Sequence, residues 1–217
     1  NSTAPRRICV QKPLRVVITN YPADRVEYFE LPNNPQNPDA GTRKLAFGRE
    51  LFIDEEDFAE LPPPKFFRLK PEGEVRLMGA YLIRCNEIIK NPDGSIRELH
   101  CTADLETGNG TPADGRKVKG TIHWLSAAHS EETTLMLYDK LFTIENVNDI
   151  PEGKTYNDYL NPTSLVRLEH CRVEPSLVDA APGEQFQFVR TGYFCKDTKY
   201  PNTFNRIVGL KDSFPKK

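Results

Sequence analysis

The sequence predicts an all-β protein built from barrels or sandwiches. Apolar and polar residues alternate with period two along most of the chain, whereas the 3.6-residue period of amphipathic helices is scarce. Turn-forming clusters such as LPNNPQNPDAG, NPDGS and TGNGTPADG separate the apolar runs. About ten short strands at this spacing, without strand–helix–strand alternation, are typical of antiparallel barrels and sandwiches.

The individual elements follow in chain order. The run 74–89 is long enough that we expect it to bend, and NPDG after residue 90 predicts a hairpin. One short helix is predicted over residues 54–61 (DEEDFAEL), where Asp54 can cap the first turn and the following acids suit the helix dipole. The strand candidates are residues 15–21, 26–32, 43–53, 74–89, 95–106, 116–126, 131–144, 164–175, 184–195 and 204–213.

Length and composition indicate a globular protein. The 217 residues suffice for one large or two small domains, and 38% are hydrophobic while 28% are charged. No run approaches the roughly 18 apolar residues that a membrane span needs, and no signal peptide opens the chain. Because the first residue is Asn1 rather than Met, we expect NSTAPRR to be the edge of a piece of a longer protein.

The cysteines predict a reducing compartment. Five cysteines, an odd number without a CxxC pair, argue against a disulfide framework and against a zinc site. Cys85, Cys171 and Cys195 lie in apolar strand-like runs, where a free thiol packs as a small hydrophobe. We therefore expect a cytoplasmic protein.

Enzyme chemistry is weakly supported by the residues. A hydrolase using Ser126 and His129 of HWLSAAHS is one alternative, but no GxSxG elbow surrounds the serine, and His123 and Ser126 fall on opposite faces of a strand. The acids of DEEDFAE lack the spacing of an EF-hand loop and are predicted to be a solvated helix start. Neither HxxxH nor CxxC spacing is present, so no metal site is predicted.

Basic residues give the more useful signal. With a net charge of −2 the chain is no polycation, so any bound RNA requires a local basic face. A cation beside an aromatic ring can hold a single-stranded base, although ordinary surface charge beside core rings explains the same pattern. The clusters are Arg6-Arg7, Lys65-x-x-Arg68-x-Lys70 and Arg116-Lys117-x-Lys119, and the neighbouring aromatics are Phe66, Phe67, Tyr81, Phe186 and Phe188.

A family resemblance favours RNA. The run GRKVKGTIHWLSAAHS (115–130) resembles the segment K-V-K-G-x-I-H-W-[VL]-S-A-A-H of glutaminyl-tRNA synthetases, which are class I aminoacyl-tRNA synthetases. Further matches follow in the order of that family and extend over essentially the whole chain. They are APRR (4–7), MLYDKLF (136–142), LNPTSL (160–165), EPSL (174–177), FQFVRTGYFC (186–195) and FNRIVGLKDS (204–213).

The resemblance implies two antiparallel β-barrels that bind the tRNA anticodon. The proximal anticodon-binding barrel is expected to be discontinuous, at residues 1–20 plus 122–217, with the distal anticodon-binding barrel inserted at 21–121. Few helices, all short, are expected. Members of the family splay the anticodon bases into separate pockets on these barrels.

Site residues transfer from the resemblance motif by motif. Arg6 of APRR, with Gln187 and Arg190 of FQFVR, is expected to surround the central uracil, whose edge both donates and accepts hydrogen bonds as an amide does. Arg68 is expected to hold guanine, the third base, and Arg76 the first base. Gln36 and Lys65 are expected loop contacts to the RNA. The chain departs from some relatives at three positions. Those relatives have basic residues at the positions of Phe67 and Met78 and an acidic residue at the position of Val189. The first-base contact therefore transfers least well.

The resemblance also implies what the chain lacks. A complete synthetase uses ATP at HIGH-like and KMSKS-like motifs, and neither occurs here. We therefore expect no catalytic residue, no cofactor and no activity in this piece alone, with an N-terminal catalytic domain in cis. The expected partner is the anticodon loop of the tRNA for glutamine, the expected state is a monomer, and no membrane contact is expected. Two alternatives remain open: a glutamyl-tRNA synthetase of archaeal or eukaryotic type, and a free-standing ribosomal-RNA-binding barrel.

Overall fold

Strands dominate the structure, which confirms the all-β prediction. The computed structural model describes residues 3–210, in which the helices are five 3-10 turns of three or four residues. None of the helices in these described residues is long and apolar enough to cross a membrane. The turns are Pro38–Ala40, Glu55–Asp57, Val147–Asp149, Tyr156–Tyr159 and Pro175–Leu177.

The strands form two seven-stranded sheets and one hairpin. Sheet I contains β3 (Pro13–Ile18), β6 (Glu50–Asp54), β7 (Glu74–Leu77), β8 (Leu82–Lys90), β9 (Ile96–Ala103), β10 (Thr121–Ile122) and β11 (Leu125–Ser126). Sheet II contains β1 (Arg6–Arg7), β2 (Cys9–Val10), β12 (Glu131–Tyr138), β13 (Leu165–Val173), β14 (Gln185–Phe188), β15 (Gly192–Lys196) and β16 (Thr203–Gly209). The hairpin pairs β4 (Glu27–Pro32) with β5 (Thr42–Phe47).

Each sheet curls because the chain joins its two edges. Sheet I runs β10-β7-β8-β9-β3-β6-β11, and its edge strands β10 and β11 are separated only by His123 and Trp124. Sheet II runs β1-β14-β15-β16-β12-β13-β2, and only Ile8 separates its edge strands. One sheet is nearly closed and the other is a half-barrel. Nine of the thirteen strand pairs among residues 3–210 are antiparallel, and the four parallel pairs include β1–β14 at one edge of sheet II and β10–β7 at one edge of sheet I.

Two hydrophobic cores meet at β2. Ile8 and Val10 pack in the core of sheet I, whereas Cys9 between them packs in the core of sheet II. Because successive side chains of a strand point to opposite faces, this short strand belongs to both cores. The strand β3 shows the same alternation, since Leu14, Val16 and Ile18 are buried.

Several predicted elements are shorter than expected. The run 43–53 divides at residues 48–49, and the run 74–89 divides at a turn over residues 78–80. The helix predicted over 54–61 is wrong: a 3-10 turn ends at Asp57 and Phe58 is already extended. The NPDG hairpin is confirmed by the Asn91 amide, which donates to the Ser95 carbonyl at 2.8 Å. Residues 211–213 of the last predicted strand lie outside the described residues.

The expected domain boundaries at 20/21 and 121/122 stay a prediction. Strand pairing places β3 in sheet I together with β10 and β11, so the chain changes sheets after Val10 and again between Ser126 and Glu131. The consequence for the site is that residues near both ends of the chain lie side by side on sheet II.

Candidate nucleic-acid interface

The pairing of β1 with β14 brings the two ends of the chain together. In this parallel pair Arg6 lies opposite Gln187, and the Gln187 amide donates to the Pro5 carbonyl at 2.9 Å. Arg190 follows β14 with a φ of 65°, a left-handed conformation that costs a non-glycine residue free energy. Arg6, Gln187 and Arg190, the three residues expected around one base, line a single cavity of about 330 Å³.

This space, the arginine cavity, combines an apolar wall with a cationic rim. Its charged members are three guanidinium groups and one carboxylate, Glu30. Gln187 is half-buried, and its Oε1 accepts no hydrogen bond from any of residues 3–210. The polar lining is Arg6, Glu30, Arg43, Asn109, Gln187 and Arg190, and the main apolar lining is Leu31, Pro32, Pro35, Met78 and Val189. An apolar wall beside polar donors suits a base, which has apolar faces and a polar edge.

A buried carboxylate holds the Arg190 side chain. Nη1 and Nη2 of Arg190 each donate to one oxygen of Asp57 at 2.6 Å, and Asp57 is fully buried. This pairing with Asp57 raises the pKa of Arg190.

Nη1 of Arg190 also lies 3.3 Å from Nδ1 of His123, whose Nε2 lies 2.7 Å from Oδ2 of Asp54. In this arrangement Nδ1 of His123 faces the Arg190 donor and its Nε2 faces the Asp54 acceptor. Asp54 Oδ1 in turn accepts from the amides of residues 11 and 12.

Arg68 lies in a second, basic depression of about 350 Å³ that we call the lysine groove. Arg68 Nη1 donates to the Glu56 carbonyl at 2.8 Å, and its Nε lies 3.3 Å from Asp57 Oδ1. Five cations and two carboxylates line the groove, namely Arg68, Lys70, Arg84, Lys117 and Lys119 with Glu72 and Glu74. This is the local basic face that an RNA ligand requires on a chain of slightly negative net charge.

Only part of the predicted basic clusters contributes to this face. Arg116 contacts Glu74, Asp104 and Asp114 at 3.0, 2.6 and 2.7 Å, so its charge is neutralised within the protein. Arg7 donates to Asn33 Oδ1 at 3.0 Å and lies 4.0 Å from Glu174.

The aromatic residues that neighbour the basic clusters differ in their exposure to solvent. Tyr81, Phe186 and Phe188 are buried, which confirms for these rings the interpretation as core aromatics beside ordinary surface charge. Phe67 is 53% exposed and lines the lysine groove, with Lys119 Nζ 5.5 Å from its ring centroid. An exposed ring beside ammonium groups can stack a base while the charges neutralise phosphate.

Three predicted residues lie outside both cavities. Arg76 donates to the carbonyls of Ala80, Gly108 and Gly110 at 3.0, 3.2 and 2.6 Å, so its guanidinium holds the loop 107–110. Gln36 is exposed and follows Pro35, which lines the arginine cavity. Lys65 is exposed on a turn with a φ of 63°. These three stay predictions as RNA contacts.

The hydrolase alternative lacks an accessible nucleophile. Ser126 Oγ lies 3.2 Å from His129 Nδ1, but Ser126 is only 2% exposed. No group of three or more histidine, cysteine, aspartate or glutamate residues in the range 3–210 could hold a metal ion.

Sequence reasoning missed four residues of the site. Asp54 and Asp57 are buried, so the interpretation of DEEDFAE as a solvated run is wrong for both. His123 of the IHW motif joins the same network rather than merely filling space. Arg43 lines the arginine cavity and is held by Glu174 through two contacts of 2.6 Å. The only signal for Arg43 in the sequence is the TRK run within a strand of alternating residues, and this signal is weak.

Comparison with known proteins gives consistent matches along the chain. Residues 4–104 and 121–197 match two families, each described as "tRNA synthetases class I (E and Q), anti-codon binding domain". A glutamine–tRNA ligase of Stutzerimonas stutzeri is 52% identical over 99% of this chain, and one of Pseudomonas putida is 51% identical over 98%. A third, from Bradyrhizobium diazoefficiens, is 48% identical over the full chain. The chain spans 38–39% of the length of these relatives.

Proposed function

The chain belongs to the anticodon-binding domains of the class I glutamate and glutamine tRNA synthetases, and on that premise we propose that it reads the anticodon of the tRNA for glutamine. The parent protein on this proposal is a glutamine–tRNA ligase, which uses ATP in a catalytic domain joined to this chain. The cytoplasm suits this role, and the five free cysteines, four of them buried, suit its reducing conditions.

One observation carries the proposal: residues from both ends of the described chain line one cavity of about 330 Å³. Arg6, Gln187 and Arg190 were expected around the central uracil, and all three line the arginine cavity. Uracil presents two carbonyl oxygens and one N–H, and these match arginine donors and the acceptor of Gln187. The buried Gln187 Oε1 lacks a hydrogen bond within the described chain, so a ligand that donates one relieves a desolvation penalty of about 1–3 kcal/mol.

The lysine groove supports a second base site. Arg68 provides a guanidinium that can bind O6 and N7 of guanine through two donors, which is the most frequent specific contact to that base. Phe67 provides a ring for stacking, and the surrounding lysines provide phosphate contacts. The two cavities therefore accept two bases that have been unstacked from one loop.

The proposal is tested by direct binding of this chain to RNA. Synthetic anticodon stem-loops with the glutamine anticodon, with a central cytosine and with a third-position adenine are titrated at fixed salt concentration. We expect each wrong base to weaken binding by about tenfold, corresponding to about 1–3 kcal/mol per lost contact set. Equal affinity for all three RNAs would refute the proposal. Tighter binding of a fourth stem-loop, which carries the glutamate anticodon, would instead favour a glutamyl-tRNA synthetase, which the family description also covers.

A further inference from the structure

Asp57 lies between the two arginines to which different bases are assigned. Each of its oxygens accepts a hydrogen bond of 2.6 Å from Arg190, and its Oδ1 lies 3.3 Å from Arg68 Nε. The Asp57 side chain is 1% exposed, whereas those of Arg190 and Arg68 are 27% and 36% exposed. The carboxylate is thus hidden from RNA while both guanidinium groups reach the surface.

The backbone around Asp57 ties it to the segment that carries Arg68. The Asp57 carbonyl accepts from the Leu69 amide at 2.9 Å, and Phe58 forms a β-bridge with Leu69. The Glu56 carbonyl accepts from Arg68 Nη1. Residues 56–58 and 68–69 therefore move together, and Arg68 cannot shift far without moving Asp57.

Arg190 comes from the other sheet and is fixed by the same carboxylate. It follows β14 of sheet II, whereas Asp57 follows β6 of sheet I. A two-pronged arginine–carboxylate pair fixes the plane of the guanidinium as well as its position. Asp57 therefore also fixes the direction of the Arg190 N–H groups that it does not bind. Without this contact, rotation of the arginine side chain would leave those N–H groups without a fixed direction.

We propose that Asp57 is a positioning residue that couples the reading of the central and third anticodon bases by holding Arg190 and Arg68 in one arrangement. The proposal rests on the function proposed above. A wrong base that displaces either arginine disturbs the carboxylate that orients the other, so the second pocket is already impaired when the second wrong base arrives. The losses of binding free energy caused by wrong bases at the two positions are then not additive.

The first test uses the unaltered chain and four stem-loops: the glutamine anticodon, a wrong central base, a wrong third base, and both wrong. If Asp57 couples the pockets, the doubly wrong RNA binds more tightly than the product of the two single losses predicts, by about threefold or more. If the two losses simply multiply, the coupling proposal is overturned. Equal binding of all four RNAs would instead remove the proposed anticodon function itself.

The second test replaces the carboxylate. Asp57→Asn keeps the shape but removes the charge that aligns both guanidinium groups, so discrimination at both bases should fall by about tenfold. The matched control is Glu55→Gln on the same turn, because Glu55 is exposed and lines neither the arginine cavity nor the lysine groove. We expect the control to discriminate as the unaltered chain does at both positions.

A purely structural role for Asp57 makes a different prediction. The thermal unfolding midpoint would fall, but the ratio of affinities for right and wrong bases would stay constant. Unchanged discrimination at both positions in folded Asp57→Asn protein, or loss at one position only, would overturn the proposal. If this variant does not fold, the four-RNA comparison on the unaltered chain still decides the matter.

Discussion

Arg6 and Gln187 are register partners in the parallel pair β1–β14 although they come from opposite ends of the described chain. The amides of Gln187 and Val189 donate to the carbonyls of Pro5 and Arg7, each at 2.9 Å. The Arg6 amide also donates to the Asn33 carbonyl, which anchors the loop beside the arginine cavity. The wall of this cavity is thus held by backbone pairing, and its side chains are presented on a fixed frame.

Replacing Gln187 tests that wall directly. Gln187→Ala removes the acceptor and donors assigned to the central uracil without disturbing the backbone pair. We expect affinity for the cognate stem-loop to fall by about tenfold, which is about 1–2 kcal/mol, while affinity for the central-cytosine RNA changes little. Titration of both RNAs at one salt concentration measures the difference.

Gln185→Ala is the matched control for this change. Gln185 lies two residues earlier on β14, is exposed, and does not line the arginine cavity. It should bind both RNAs as the unaltered chain does. An equal loss in the two variants would show that strand β14, rather than the amide of residue 187, is responsible.

The parts that sequence could predict are the local ones. The alternation in β3 and the turn residues of NPDG are encoded by neighbouring residues, and both are confirmed. The strands β1, β2, β10 and β11 have two residues each, which is too short to show any period, so sequence reasoning missed their bounds. Their pairing is decided by distant partners across the closing edges of the sheets.

The buried part of the site was unpredictable for the same reason. Acids in a run such as DEEDFAE are usually solvated, and Glu55 and Glu56 are exposed as that rule expects. The charge of the buried Asp57 is compensated chiefly by Arg190, 133 positions later, with Arg68 as a second cationic neighbour. Such a partner has no local signature, whereas the cavity residues Arg6, Gln187 and Arg190 were identified through a family motif and not through physical reasoning on spacing.

Replacing Arg68 distinguishes a base contact from a phosphate contact. If Arg68 binds guanine, Arg68→Ala should reduce discrimination against third-position adenine by about 1–3 kcal/mol. A phosphate contact would instead weaken all RNAs alike and reduce the salt slope by about one unit. Affinities measured at several salt concentrations separate these results. Arg97→Ala, on the exposed surface of β9, is the control and should change neither quantity.

Gly120 of the KVKG motif controls the shape of the lysine groove. A methyl group built on Gly120 would overlap the backbone carbonyl of Phe67, so the backbone must shift. We expect Gly120→Ala to lower the free energy of unfolding by about 1–3 kcal/mol and to weaken RNA binding through the displaced Phe67. Gly48→Ala is the control, because its added methyl group meets nothing nearer than 3.9 Å. Equal stability of both variants in urea unfolding would contradict this prediction.

The loop 104–116 gives the protein an acid-sensitive contact. Thr107 and Arg116 both donate to Asp104, and these hydrogen bonds lower the pKa of Asp104 to about 2. A carboxyl group with a lowered folded-state pKa stabilises the fold above its unfolded pKa of about 3.9, and this contribution is lost as the pH falls towards about 2. Asp104→Asn should therefore flatten the dependence of unfolding free energy on pH between about 4 and 2.

Arg76 separates a supporting role from the first-base contact that the family resemblance implies. Its guanidinium donates to three backbone carbonyls, two of them in the loop 107–110, and Asn109 of that loop lines the arginine cavity. Arg76→Ala should therefore speed amide hydrogen exchange in residues 107–110 and weaken binding of RNAs with either cytosine or uracil as first base equally. Arg76→Lys supplies a single charged donor group and should restore only part of the protection, because an ammonium cannot span carbonyls that a planar fork bridges. Unchanged exchange together with a lost first-base preference would mean that Arg76 leaves these carbonyls and binds the base itself.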